Sequence, residues 1–140
     1  MRLTTDEDIR QLLQETQTVA VVGWSPKPDR PSHGVAAYMQ KHGYTIYPVN
    51  PTVQSSTEQP VFAALADIQV PIDVVDVFRR AEDVPEVVEA AIAIGAKAIW
   101  IQLGIINEEA AQRASDAGLK VVMDRCMKVD IQRLLPEHKA

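Results

Sequence analysis

Polar and apolar positions follow two rhythms along this chain, short unbroken apolar runs and longer stretches with helical spacing, and the two alternate throughout. Thr4 and Thr5 precede Asp6, Glu7 and Asp8, acids that suit the positive end of a helix, and Ile9, Leu12 and Leu13 form one stripe. Residues 5 to 15 are therefore predicted as a short amphipathic helix. The first strand is 18 to 23. Ser32 is predicted to N-cap a helix that buries Val35, Ala36 and Met39 and stops at Gly43. The second strand, YTIYPV at 44 to 49, ends at Asn50-Pro51. Residues 52 to 60 lack periodicity and read as a loop, with a short helix expected around 61 to 66. The third strand, DVVDVF at 73 to 78, runs into Arg79-Arg80. A helix from near Glu82 takes Pro85 in its first turn, buries Val84, Val87, Val88, Ala91 and Ile92, and ends at Gly95. The fourth strand, KAIWIQL at 97 to 103, closes on Gly104; Asn107 caps a helix that stops at Gly118; KVVMD at 120 to 124 is the fifth strand. A short polar tail carrying Leu134 and Leu135 is expected up to Pro136.

Strands alternating with helices imply a parallel sheet joined by right-handed crossovers. Apolar runs such as VAVV and AIWI fit a sheet covered on both faces. The expectation is one α/β domain over residues 1–140: a doubly wound, five-stranded, Rossmann-like parallel sheet in the order 3-2-1-4-5, with helices on both faces. Its switch point would lie between strands 1 and 4, where a ligand binds outside the carboxyl ends of the strands. That edge collects Gly23, Trp24 and Ser25, Asn50 and Pro51, Phe78, Gln102, Leu103 and Gly104, and also Asp124 and Cys126.

Charge sharpens the picture. The net charge is −5, yet Lys27, Arg30, Arg79, Arg80 and Arg125 all fall at this edge. A phosphate-bearing ligand explains them, helped by backbone N–H groups at the helix opened by Ser32. The plainer alternative stays open: loops at sheet ends are polar, Gly23 can serve a tight turn alone, and Ser32 can be a cap alone. An acidic chain is ill suited to nucleic acid. No apolar run approaches the ~20 residues that span a bilayer, and the acidic, helix-patterned amino terminus is unlike a secretory signal. A cytoplasmic location, with no membrane partner, is expected.

Candidate chemistry is sparse, and no catalytic or metal-binding residue is expected. Cys126 is the sole cysteine, so no internal disulfide or cysteine metal cluster is expected, and His33, His42 and His138 are scattered. Cys126, beside Arg125 and Lys128, is the one nucleophile candidate. It reads as a small buried hydrophobe or, more sharply, as a thiol that forms a mixed disulfide. His33 lies in a first helix turn, within reach of a phosphate; His42 and His138 read as surface residues. Asp73 and Asp76, three apart in a strand, face opposite ways and form no acid–base pair. Trp24 and Trp100 are candidates to stack on a base, although Trp100 in mid-strand reads as core. A dinucleotide of the NAD type fits poorly. Only Gly23 of the G-x-G-x-x-G fingerprint is present, followed by Pro26, Pro28 and Pro31, and no acid ends the second strand.

The segments VVGWSPKPDRPSHGVAAYMQKHGYTIYPVNP, DVVDVFRRAEDVPEVVEAAIAIGAKAIWIQLGIINEEAA and VVMDRCMKVD resemble the small single-domain CoA-binding proteins. That family is similar to the CoA-binding Rossmann domain at the front of the succinyl-CoA synthetase α-subunit. The match spans roughly residues 5 to 135, and the D-R-P-S, V-N-P, V-F-R and D-R-C blocks carry it. The resemblance implies coenzyme A bound across the carboxyl edge. Gly23, Trp24 and Ser25, with Lys27 and Arg30, would meet the pyrophosphate and 3′-phosphate region; Asn50 and Pro51 would border the adenosine. Phe78 and Arg79 would line the nucleotide, and Gln102, Leu103 and Gly104 the pantetheine arm. The first loop departs from the synthetase pattern, with prolines in place of its second and third glycines. The synthetases also use a phosphorylated histidine on a further domain, expected to be lacking here. The function expected is therefore binding of CoA or an acyl-CoA without catalysis. One alternative is an enzyme acting on a CoA thioester or nucleotide through Cys126. Another is a regulator whose protein partner senses CoA occupancy, and self-association through an exposed face is a further expectation.

Overall fold

Apolar runs whose two faces must both be hidden pair side by side under covering helices, and here five of them do so. In the computed structural model, which describes residues 1–135, β1 (Thr18–Val22), β2 (Thr45–Val49), β3 (Val74–Val77), β4 (Ala98–Gln102) and β5 (Lys120–Arg125) form one parallel sheet. The helices between them are α1 (Asp6–Glu15), α2 (Pro31–Lys41), α3 (Val84–Ala93), α4 (Glu108–Asp116) and α5 (Met127–Leu134). The α/β class, the parallel sheet and the two covered faces agree with the sequence reading.

The strand order does not. The sheet runs β2-β1-β3-β4-β5 rather than 3-2-1-4-5, so β3 sits between β1 and β4. Two features of the chain make that order the favourable one. Every residue of β3 is buried, whereas β2 begins exposed and only its last two residues are buried. Pro48, in β2, has no N–H to donate, which confines it to an edge. Its carbonyl accepts from the Phe62 N–H on the outer side of the strand (2.9 Å). Its nitrogen points the same way, so no ladder bond is lost. The switch point consequently lies between β1 and β3.

Alternation along the strands sorts side chains into two cores. Val19 and Val21 of β1, Val74, Ala98, Trp100 and Val122 meet α1, α2 and α5 on one face. Ala20 and Val22, Val75, Val77, Ile99 and Ile101 meet α3 and α4 on the other. Thr5 caps α1 by accepting the Asp8 N–H, and Asn107 caps α4 by accepting the Ala110 N–H. The Tyr44 hydroxyl donates to the Leu13 carbonyl (2.8 Å) and ties α1 to the sheet; burial pushes its pKa up to about 12.

Three local expectations are corrected. The helix expected at 61 to 66 is a single 3-10 turn at Leu65–Asp67. Ser32 is not the cap of α2: Arg30 occupies that position without a side-chain cap bond, and Pro31 opens the helix. The expected polar tail is α5, whose Met127, Ile131 and Leu134 are buried. Its polar residues hid that stripe, because Asp130 is itself buried and paired with Arg125 and Arg133. Pro136 and His138 lie outside the described residues. Among those described, no helix is long and apolar enough to cross a membrane.

Candidate functional site

The loop after β1 is shaped by Gly23. Its φ is +88°, and a Cβ there would lie 2.1 Å from the Phe78 carbonyl oxygen at the end of β3. No other residue allows β1 and β3 to end so close together. The loop then folds back on α2. Ser32 is buried in the first turn, and its Oγ accepts the Ser25 N–H (3.0 Å). The Ser25 hydroxyl in turn accepts the Lys27 N–H (3.2 Å), and His33 Nδ1 lies 3.1 Å from the Ser25 carbonyl. From β2, Asn50 donates through Nδ2 to the Trp24 carbonyl and accepts from Thr52 through Oδ1.

The far side is built by β4 and the turn into α5. Trp100 Nε1 donates to the Arg125 carbonyl (2.8 Å), and Gln102 Oε1 accepts the Met127 N–H (3.1 Å). The Gly104 N–H donates to Asp124 Oδ1 (2.7 Å), and Asp124 holds a positive φ of 61°. These bonds draw the start of α5 over β4.

Between the two sides lies a cavity of ≈ 690 Å³. Gly23, Ser25, Lys27, Arg30, Ser32, Asn50, Phe78, Arg79, Arg80, Gln102 and Leu103, all expected from the sequence, line it. Three expected residues do not. Trp24 is 5% exposed and packs in the core with its ring 5.9 Å from that of His33. Pro51 borders a second cavity of ≈ 440 Å³ on the α3 face, which shares Arg79 with the first. Gly104 is not among the lining residues and serves the turn bound to Asp124. Pro31, Val35 and Ile105 line the cavity unforeseen; as apolar residues in loops and helix turns they carry no signal that marks a site. Cys126, half-buried, also lines it.

The electrostatics separate working cations from structural ones. Arg125 makes a bidentate pair with the buried Asp130 (2.6 and 2.7 Å) and does not line the cavity. Its expected place among the site cations is thereby corrected. Arg80 meets Glu82 and Asp83 at an exposed position. Lys27, Arg30 and Arg79 enter no ion pair among the described residues. Three uncommitted cations around one cavity, in a chain of net charge −5, make a receptor for an anion.

Beneath the floor sits Asp76. It pairs in register with Val21 and Trp100, two residues before Gly23, Phe78 and Gln102 on their strands. It is fully buried, and neither carboxylate oxygen has a hydrogen-bond partner among the described residues. Burial pushes its pKa well above the ordinary carboxylate value. Asp73 is separate: it accepts from the Gln17 and Thr18 N–H groups and pairs with Lys97. No group of three or more potential metal ligands occurs among the described residues.

Comparison with known proteins gives a consistent result. The CoA-binding domain family matches residues 17–132. The uncharacterized protein YneT of Bacillus subtilis (strain 168) is 43% identical over 129 residues, 92% of this chain and 96% of that one. A hypothetical protein from Pyrococcus horikoshii OT3 superimposes with a TM-score of 0.90 at 42% identity, covering 94% of this chain and 93% of its own. The dinucleotide-forming acetyl-coenzyme A synthetase 1 of Ca. Korarchaeum cryptofilum shares the fold, with a TM-score of 0.70 and 21% identity over 84% of this chain and 28% of that one.

Proposed function

Because the chain belongs to the CoA-binding domain family, we propose that the cavity holds coenzyme A or an acyl-CoA, and that the protein binds this ligand without transforming it. The observation that carries the reading is the set of uncommitted cations, Lys27, Arg30 and Arg79, around a cavity at the β1/β3 switch point. The phosphates belong beside these cations and the first turn of α2, where charge-assisted hydrogen bonds are strongest. The pantetheine arm then runs over Phe78 and Gln102 toward Leu103. The Cys126 thiol makes no hydrogen bond to a histidine or carboxylate among the described residues, which favours binding over nucleophilic chemistry.

Isothermal titration with CoA, dephospho-CoA and NAD tests this reading. CoA is expected to bind, and loss of the 3′-phosphate or Arg30→Ala should each weaken binding by about tenfold or more. NAD bound in preference to CoA would overturn the assignment. Turnover of an acyl-CoA thioester that disappears in Cys126→Ser would replace the binding role with an enzymatic one.

A further inference from the structure

The cavity stands above a buried carboxyl. Side chains alternate along β3, so Asp76 shares a face with Val74 and Phe78, the face packed by α1, α2 and α5. Phe78 lines the cavity, and Asp76 lies two residues, about 7 Å, further in. Gln102, two residues past its register partner Trp100, lines the cavity on the same face. Neither Asp76 oxygen has a hydrogen-bond partner among the described residues. The groups around it are neutral or already engaged. Against this face α1 and α2 bury only uncharged residues. From α5, Asp130 is taken by Arg125 and Arg133, and the Cys126 thiol at the helix start is half-buried. The Tyr44 hydroxyl donates to the Leu13 carbonyl, and His33 Nδ1 lies beside the Ser25 carbonyl. Tyr38 packs on the His42 ring and carries Lys128 over its own. Lys27, Arg30 and Arg79 stand around the cavity above.

We propose that Asp76 couples the site to protons: the cavity takes its anionic ligand with Asp76 protonated, and ionisation of Asp76 weakens the hold. This rests on the coenzyme A reading and adds the regulation of that site. Burial keeps the proton on the carboxyl past the ordinary carboxylate range. Once ionised, Asp76 repels the phosphates above it and competes with them for Lys27, Arg30 and Arg79, through an interior that screens charge poorly. Both effects have one sign. While free and bound protein both keep the proton, affinity does not depend on Asp76. As pH rises through the range where the free protein loses it, binding must take a proton up, and affinity falls. Linkage is reciprocal, so bound ligand holds the proton on Asp76 to higher pH.

Titration of the full chain with CoA from about pH 5.5 to 8.5, beside Asp76→Asn, decides the matter. The ligand's own phosphates and His33 are common to both proteins and cancel in the ratio of their dissociation constants. That ratio should be near one at the acid end and reach about three- to tenfold in favour of Asp76→Asn at the alkaline end. Calorimetry in two buffers of different ionisation enthalpy should show more protons taken up on binding by the unsubstituted protein than by the variant. Asp76→Val, which removes the same charge, carries the comparison should Asp76→Asn fail to fold. A constant ratio with equal proton uptake would overturn the inference and leave the CoA reading standing. A ratio that moves toward the unsubstituted protein as pH rises would also overturn it, by making the carboxylate an aid to binding. Failure of CoA to bind at any pH would overturn the underlying reading and this inference with it.

Discussion

At the scale of single residues, the two most telling positions are Gly23 and Asp76, and they differ in how they act. Gly23 is fixed by a backbone approach: with φ at +88° and the Phe78 carbonyl 2.1 Å from where a Cβ would stand, Gly23→Ala should lower stability by about 2 kcal/mol or more. Urea unfolding measures this, and a near-neutral result would mean that β1 and β3 can part at little cost. Asp76 acts through its proton. Its folded-state pKa is raised by burial, so its contribution is most favourable below the unfolded value near 4 and is lost as pH rises through the folded value. Asp6, Asp73 and Glu89 have lowered values and work in the opposite sense, so the difference between protein and variant is the informative quantity. Asp76→Val removes an unpartnered buried carboxyl and should stabilise the protein by about 1–3 kcal/mol at pH 8. The gain should shrink toward pH 4; a gain equal at both pH values would show that Asp76 does not titrate with folding.

At the scale of elements, caps and pairs determine which helices stay docked. Asn107 accepts from the Ala110 N–H and donates to the Ala81 carbonyl (2.9 Å), so it joins α4 to the start of α3. Asn107→Ala should cost about 1–2 kcal/mol, read from the thermal midpoint. The helix α5 hangs on Asp130, which is buried and receives Arg125 and Arg133, while Arg133 also reaches Asp6 of α1 (2.8 Å). Removing one partner of a fully buried pair costs about 3–5 kcal/mol, and both arginines here are more than a third exposed, so about 2 kcal/mol is expected for Asp130→Ala. Hydrogen exchange should rise first in α5. Uniform loss of protection across the sheet would argue that α5 folds with the core as one unit.

At the scale of the molecule, the ordering of the strands makes the site. Because β3 rather than β4 neighbours β1, Phe78 and Arg79 arrive beside the β1 loop and both cavities meet at Arg79. The attraction between the site cations and a polyphosphate is long-ranged and partly solvent-exposed. Affinity for CoA should therefore fall as NaCl is raised from about 0.05 to 0.5 M, with the Debye length shrinking from about 14 to 4 Å. A salt-independent Kd would move the phosphates away from Lys27, Arg30 and Arg79.

The amino-acid sequence by itself determined the alternation of strands and helices, the parallel sheet and most of the carboxyl-edge residues, because period and apolar run length are local properties of a chain. Eleven of the fourteen expected site residues line the cavity, since the end of a parallel strand is also the start of a loop and both are visible as a run that stops. Pro48 even carried the edge position of β2, though only the Phe62 bond to its carbonyl shows which side its nitrogen faces. The tertiary structure alone decided the rest. Arg125 left the site because Asp130 folds back to meet it, Trp24 turned into the core, and α5 formed because arginine partners for the buried Asp130 let a polar segment dock. Each of these depends on which distant residue arrives as a neighbour, and periodicity within one segment holds no information about that.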